Sequence, residues 1–572
     1  MVLLGNGLDE RNYRRLMAFA ARVRESAPAG LVGVIPAYDS VLVSFDPRGI
    51  EGKLFLSSLE RLSLESDRAH DTAAPRIVEL PVVYGGEFGP DLASLAAARG
   101  MSEVEAIAMH SGTLYPVYLL GFSPGFPYLG NLDPRLATPR LATPRTKVPA
   151  GSVGIADAQT GVYPQDSPGG WNIIGRTGVR LFDPCADPPA LLAPGDYVRF
   201  IPTKSLGQAA SAVNTGNEPG TEPPRPGITV ISPGLHSSIQ DRGRFGYEAQ
   251  GVPRSGAMDE RSLALANLLV GNEPGEAGIE CLVGGIELRF DVPAVIAVCG
   301  AAAPLELNGK GASREEALSI QPGDVLRAGM ADRGMRVYLA VRGGLAVEPV
   351  LGSRSTYERG GFGGLHGRPL AKGDRIPLGI PDGSVGAGMA GRRFPDGPLC
   401  PNPAGRSESG PIVVRAMHLF EAVRFEEASV KRFFSEGYTV GAQSDRMGLR
   451  LAGAPLAHTR GADIASSPVL PGTVQIPGDG QAIVLMADGQ TTGGYTRIAQ
   501  VAQVDLPLLA QARPGDAIRF VPISVAEAAA LAMERDRLYA TLAQGLPKAS
   551  PPGLELIVTV NGVPYSVRVE ES

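Results

Sequence analysis

The chemistry open to this sequence lies in a few polar runs set among glycine and proline. Thr143-Pro-Arg-Thr-Lys147 places Arg145 and Lys147 on alternate residues, and therefore on one side of an extended strand. Two adjacent cations repel unless a carboxylate or phosphate lies between them, so the pair reads either as an exposed basic face or as a carboxylate or phosphate site. Gln159, Tyr163 and Gln165 follow closely and could add hydrogen bonds. In the second half, four runs are equally dense in polar groups: Gln240-Asp241-Arg-Gly-Arg244, Ser255-Gly-Ala-Met-Asp259, Gln443-Ser-Asp445-Arg446 and Asp488-Gly-Gln490-Thr491-Thr492. Such runs are usually solvated turns, but facing a groove they suit recognition of a small polar substrate. His110 falls at the end of a predicted helix, just before a Gly/Pro-rich loop. There it is either steadied by the helix dipole or used chemically.

Other motifs fail on a single atom or charge. Gly121-Phe-Ser-Pro-Gly125 has the spacing of a hydrolase nucleophile elbow, where the residue after the serine lends a backbone N–H to the oxyanion. Here that residue is Pro124, which has no N–H, so the segment reads as a shaped loop. Ala98-Arg-Gly-Met-Ser102 resembles the turn of a helix-turn-helix, yet acidic residues surround a lone Arg99, and phosphate contacts need Lys or Arg. Ser102 and Glu105 read better as a capping box. Gly360 to Gly367 matches neither a P-loop nor the dinucleotide fingerprint, so any nucleotide must be held by an unorthodox site. Cys185, Cys281, Cys299 and Cys400 lie too far apart for a zinc or redox pair, and no metal site is expected.

The elements that must position these groups are mostly short strands, as 74 glycines and 50 prolines in 572 residues imply. Residues 1–75 read as a small α/β unit. In it Tyr13, Leu16, Ala20 and Val23 share a helical face, Gly33 to Phe45 reads as strand, and Leu56, Leu59 and Leu62 mark a second helix. A β-barrel is expected over 76–205, a flexible polar linker over 206–226, and two further barrel regions over 227–400 and 401–525. A helix capped by Ser524 and Glu527 closes the fold over 526–548, and a hairpin about Asn561-Gly562 ends it over 549–572. An internal repeat supports this division. Val148 to Ile155 is echoed by Val469 to Ile476, Gly169-Gly170-Trp171 by Gly493-Gly494-Tyr495, and Pro194 to Pro202 by Pro514 to Pro522. Pro322-Gly323-Asp324 repeats the turn that opens the last block, which predicts a related barrel in between.

A formal net charge of −6 leaves no basic footprint, so nucleic acid is not expected as a partner. No stretch reaches the ~18 apolar residues of a membrane helix, and the charged N-terminus lacks a signal-peptide core. A cytoplasmic protein acting on a small molecule is expected, with no membrane partner.

Longer blocks carry a family resemblance. Residues 1–205 resemble the B subunit of 5-oxoprolinase, also called allophanate hydrolase subunit 1, through His110, Gly121 to Gly130, Pro144 to Ser152 and Ser167 to Trp171. Residues 227–525 resemble the C subunit, through Gln240-Asp241, Gly251 to Asp259, Gly352 to Thr356, Gln443 to Gly448 and Asp488 to Gly494. The resemblance implies a mainly β fold of several cyclophilin-like β-barrels beside the α/β unit, with the two halves facing across one groove. It implies ATP, with Mg, as co-substrate, a separate A subunit of LamB/YcsF type as partner, and opening of 5-oxoproline to glutamate. A homo-oligomer is also expected. On this reading His110, Arg145, Lys147 and Asp445 are the candidate catalytic groups. Gln159, Gln165, Gln240, Asp241, Ser255, Asp259, Gln443, Arg446, Gln490, Thr491 and Thr492 would bind substrate. The same modules resemble the carboxyltransferase domain of urea carboxylase, and Val558 to Val567 looks like the opening hairpin of a biotin carrier. No Ala-Met-Lys-Met run follows, so covalent biotin is not expected, although a separate biotin carrier protein could dock. A sensor-kinase regulatory module is a third reading.

Overall fold

The computed structural model describes residues 2–3, 10–46, 49–66, 75–206, 227–379, 389–394, 410–546, 554–560 and 563–569. The linker expected at 206–226 therefore lies, from 207 onward, outside the described residues. Strand outweighs helix throughout, as the turn-rich composition predicts.

In the N-terminal unit, helices Glu10–Ser26 and Gly52–Ser66 flank a three-stranded sheet. Tyr13, Leu16, Ala20 and Val23 are buried on one face, as their spacing requires. The single strand read over 33–45 is instead a hairpin of Leu31–Pro36 and Ser40–Phe45. Pro36 has no N–H to extend the ladder, and the chain turns there with Ala37 donating to the Ser40 carbonyl at 2.8 Å. On the second helix Leu56 is 57% exposed and Phe55 takes the buried place. The unit packs its aromatic rings on the first barrel. The Tyr13 hydroxyl donates to the Val117 carbonyl at 2.7 Å, and Tyr38 lies 5.1 Å from Tyr118 between ring centres.

The first barrel closes in the order Asn172–Arg176, Ile77–Tyr84, Tyr197–Pro202, Leu114–Leu120, Pro127–Leu129, Gln159–Val162, Ser152–Ala156. The second barrel runs Thr492–Val501, Ile412–His418, Ala517–Pro522, Gly437–Val440, Gly448–Ala452, Ala482–Leu485, Thr473–Ile476, and closes back on the first of these. The two orders correspond strand for strand. Even the parallel pair recurs: Tyr197 faces Ile77 in one barrel, and Ile518 faces Ile412 in the other. The repeated sequence blocks are the visible part of one topology used twice.

Between them the expected third barrel takes a different form. Pro322-Gly323-Asp324 makes its turn, with Asp324 accepting from Gln321 N at 2.7 Å, but the strand it opens enters a six-stranded sheet. That sheet packs on a five-stranded one around a core that includes Ile228, Leu288, Phe290, Val298 and Leu339. Helix Glu260–Leu269 lies on the five-stranded sheet. Over it the closing helix Val525–Gly545, with the predicted Ser524/Glu527 capping box, sets Leu542. The C-terminal strands Leu554–Val560 and Val563–Val569 pair antiparallel, as the Asn-Gly signal predicts.

The halves meet at the loop that mimics a nucleophile elbow. Phe122, held at φ 63°, donates its N–H to Thr492 Oγ1 at 3.1 Å, and Gly125 N donates to the Gln250 carbonyl at 2.8 Å. A Cβ on Gly121 would stand 1.9 Å from Thr492 Oγ1, so only glycine allows this approach.

His110 lies inside the first barrel, 1% exposed. Its Nδ1 is 2.8 Å from the Tyr84 hydroxyl and its Nε2 2.9 Å from Thr160 Oγ1, while the ring stacks on Phe200. Burial lowers its pKa to about 3. Both nitrogens are occupied and the ring is buried, which fits the structural one of the two roles open to it from its position.

Two outcomes follow. Gly121→Ala is expected to destabilise by about 1–3 kcal/mol through overpacking at the junction, and Thr492→Gly in the same chain to restore part of the loss in thermal melts. For His110, the folded pKa lies below the unfolded 6.5, so the unfolded state binds the extra proton. Its contribution is therefore full above pH 6.5 and is lost towards pH 3, at up to about 1.4 kcal/mol per pH unit. Urea unfolding read at Trp171, the single tryptophan, should show a stability gap between wild type and His110→Gln that narrows from pH 7.5 to 4.5. A constant gap would contradict the assignment.

Candidate functional site

The structure brings some of the predicted residues together and separates others. Arg145 and Lys147 share the strand Arg145–Val148, but each has its own carboxylate. Arg145 Nη2 is 2.7 Å from Asp91 Oδ1, and Lys147 Nζ is 2.8 Å from Asp166 Oδ2. The predicted repulsion is thus relieved within the first barrel. Next to Asp166, Gln165 donates to the Arg359 carbonyl at 2.9 Å, and the Arg359 guanidinium stands 3.9 Å from Asp445. Asp445 in turn accepts from Met447 N and Gly448 N at 2.8 and 3.0 Å. Lys147, Gln165 and Asp445 therefore line one seam between the halves, joined through Arg359. Thr492 is engaged by Phe122 at the same seam. Beside it, the Thr491 hydroxyl is buried without a partner. Gln159 and Gln490 are half-buried at strand entries.

Gln443 lies elsewhere, in a cavity of about 530 Å3 on the wall of the second barrel, with Arg450, Asp479 and Tyr495.

Four of the predicted binders are committed to the framework. Arg446 Nη1 donates to Glu280 at 2.6 Å, its Nε and Nη2 to Asp488 at 2.8 and 3.0 Å, and its Nη2 also to the Gly256 carbonyl at 2.7 Å. Burial works against that charge, but Asp488 and Glu280 hold the guanidinium more firmly protonated than an ordinary arginine. Asp259 caps its helix by accepting from Ser262 N at 2.9 Å and receives Gln511 Nε2 at 2.7 Å. Asp241 accepts from Gly243 N, Arg354 N and the Ser353 and Ser355 hydroxyls. Gln240 is fully buried, donating to Ser238 Oγ. The expectation of substrate contact at these four meets groups already satisfied by the protein, apart from the unpartnered Gln240 Oε1.

What these anchors hold is a pair of adjoining cavities, of about 1020 and 330 Å3. Both are lined by Arg242, Phe245 and Glu260. The N-terminal unit contributes Val32 to the larger and Phe45 to the smaller. Arg535 and Tyr539 of the closing helix wall the larger, while Met417, Leu470 and Met486 of the second barrel wall the smaller. Ser255 faces the smaller one, with φ 55°, its N–H on the Ala487 carbonyl at 3.0 Å and its hydroxyl buried without a partner. Glu260 is exposed where the two cavities meet, and Arg535, Arg254 and Arg242 favour its charged form. A carboxylate lining both cavities and set among arginines makes this a candidate site. Sequence reasoning missed Glu260, Arg242, Phe245 and Arg535. Arg242 sits inside a polar run already singled out, and Glu260 directly follows Asp259, so the signal was adjacency; Arg535, on a distant helix, had none. Among the described residues no group of three or more His, Cys, Asp or Glu is placed to hold a metal ion, and no helix is long and apolar enough to cross a membrane.

Comparison with known proteins fits this geometry. Residues 1–192 match the family model for the carboxyltransferase domain, subdomains C and D, and residues 250–522 match that for subdomains A and B. The C subunit of 5-oxoprolinase from Escherichia coli K12 is 36% identical over 322 residues, 55% of this chain and 97% of the relative. The B subunit of 5-oxoprolinase from Bacillus subtilis is 42% identical over 210 residues, 35% of this chain and 88% of the relative. Urea amidolyase of Lachancea kluyveri is 33% identical over 365 residues, 61% of this chain but 20% of that protein. The crystal structure of TTHA0988 superposes with a TM-score of 0.78 at 36% identity, over 91% of this chain and 99% of that one. The chain belongs to the carboxyltransferase-domain family, as one polypeptide joining counterparts of the B and C subunits of 5-oxoprolinase.

Proposed function

We propose that this chain is the fused B and C component of an ATP-dependent 5-oxoprolinase in the cytoplasm, a hydrolase of a cyclic amide that acts with a LamB/YcsF-type A subunit to release glutamate. The observation that carries the reading is that separate B and C subunits each match one half of the chain, over 88% and 97% of their own length. A lactam is a poor electrophile. Transfer of a phosphoryl group from ATP to its carbonyl oxygen, with release of ADP, would activate the carbon for water. The ring C–N bond would break as the nitrogen takes a proton, and hydrolysis of the resulting acyl phosphate would give glutamate and phosphate. In the larger cavity Arg354 and Arg535 are the cations that could meet phosphates, although Asp241, Glu273, Glu276 and Asp536 line it as well. Phe245, 45% exposed, could meet a planar base on the face that Arg254 leaves open. Magnesium would arrive on the phosphates, needing few protein ligands.

The chain's own residues then bind, orient and exclude water. Arg145 and Lys147, each balanced by a carboxylate, and Asp445 across the seam are proposed to act on the phosphoryl charge and on the approach of the LamB/YcsF-type protein. A second reading, carboxyl transfer from a biotin carrier protein to a urea-like amide, is favoured by the match to urea amidolyase.

The test is ATP-dependent glutamate release from 5-oxoproline in the presence of the matching A subunit. Turnover in the combined system and none from either part alone is expected. No turnover, together with carboxyl transfer from free carboxybiotin to urea, would move the chain to the second reading. In the same assay, Arg145→Gln, Lys147→Gln and Asp445→Asn are each expected to lower turnover about tenfold or more. Wild-type rates in all three would confine the chemistry to the Glu260 cavities.

A further inference from the structure

We infer that the smaller cavity, between the N-terminal unit, the middle sandwich and the second barrel, is the binding site for a small cyclic amide bearing a carboxylate, with Arg242 receiving the carboxylate, Ser255 Oγ the amide carbonyl and Glu260 the amide N–H. The assignment deepens the proposed function and rests on it for the choice of 5-oxoproline as probe.

The space is about 330 Å3, at the lower end of the roughly 300–1,000 Å3 typical of small-molecule sites. It is assembled from three parts of the chain, the usual place for such a site. Its floor is soft and apolar, with Met258, Met417 and Met486 able to follow the methylenes of a small ring. Its polar groups are few and differ in kind. Arg242 lies with its stem against Gly275, where a Cβ would meet Arg242 Cδ at 1.8 Å. Its guanidinium feels the Glu260 charge but makes no hydrogen bond among the described residues, so its planar fork can take a ligand carboxylate. The Ser255 hydroxyl is the reverse case: the residue is 6% exposed and Oγ has no partner. A buried hydroxyl left unmatched is costly, and the residue is also held in the left-handed backbone region that disfavours side chains. Both costs are explained if a ligand completes the hydrogen bond. Glu260 supplies an acceptor at the start of a helix fixed by Asp259, where the N–H of a lactam can be met.

The experiment measures binding and turnover in parallel, using the full chain. Binding of 5-oxoproline and of 2-pyrrolidinone, the same ring without the carboxylate, is followed by calorimetry without ATP; KM for 5-oxoproline is followed with ATP and the A subunit. Arg242→Gln is expected to weaken 5-oxoproline about 10–100-fold while leaving 2-pyrrolidinone unchanged, and Arg242→Lys to recover part of the loss. Ser255→Ala is expected to weaken both ligands about 3–10-fold. Melting temperatures establish that the variants fold. If the wild-type chain turns over 5-oxoproline and both variants keep its KM within twofold, the site is overturned and the proposed activity stands. If the wild type turns over nothing yet binds 5-oxoproline through Arg242, the site stands and the activity is overturned. If the wild type neither binds nor turns it over, both fall.

Discussion

Arg446 carries its charge into the seam between the middle sandwich and the second barrel, where water cannot solvate it. Moving a guanidinium out of water costs several kcal/mol unless geometry and hydrogen bonding repay it. Here two carboxylates and a backbone carbonyl do so, from Glu280, Asp488 and Gly256. Glu280 is held in turn by Tyr338, whose hydroxyl donates at 2.6 Å, and by Met258 N at 2.9 Å. Gln511 of the second barrel reaches back to Asp259 at 2.7 Å and accepts from Arg336 N at 2.9 Å. Apart from those to Asp488, these bonds end on the segment from Gly256 to Asp259 or on the sheet beneath it. The cluster therefore does more than join two domains: it sets the path of the chain between Ser255 and Glu260, and so the shape of the smaller cavity. Removing one partner would leave an uncompensated charge in a dry seam, which is why the arrangement behaves as a unit.

The sequence showed the type of each element more reliably than the role of each polar residue. Helical spacing found the buried face of Glu10–Ser26, and the capping boxes at Ser102 and Ser524 form as written. The repeat blocks found the two barrels because they mark turns and strand entries, which are local. Roles were harder, since a polar residue is equally polar whether it faces a ligand or a neighbour. Asp241, Asp259 and Arg446 belong to dense polar runs whose members hydrogen-bond one another and the framework. Arg242 and Glu260 lie beside them, exposed to the cavities and without a hydrogen bond to the framework. Only the packing of distant segments shows which member of a run is left free, and no spacing rule contains that information. The middle sandwich escaped for a similar reason. A Pro-Gly-Asp turn determines how a strand begins, but not whether its sheet closes.

The two barrels also show how one topology is used differently. In the first, Tyr118, Leu119, Tyr128 and Trp171 form the face on which the N-terminal unit packs Tyr13 and Tyr38. Strand registers place Gly441, Ala442, Arg450 and Tyr495 at the corresponding positions of the second barrel. Exchanging two large side chains for a glycine and an alanine removes the surface that would hold such a unit. What remains is the cavity that contains Gln443. The first barrel thus spends its outer wall on anchoring the α/β unit. That anchoring is what presents Phe45 to the smaller cavity, on the far side of the unit.

This dependence gives the joining of the two halves a physical sense. Phe45 and Val32 come from the B-like half, whereas Arg242, Ser255 and Glu260 come from the C-like half. Neither half alone encloses the cavities. The contacts between them include a glycine against Thr492, a backbone bond to Gln250, the Gln165 bond to the Arg359 carbonyl and an aromatic pair of Phe182 and Phe362 at 5.9 Å. Interfaces of that kind hold weakly when the partners diffuse freely. A continuous chain makes the encounter intramolecular, at an effective concentration on the order of millimolar for a short connection. Every copy of the protein then carries a closed cavity, and the walls supplied by each half meet in fixed proportion.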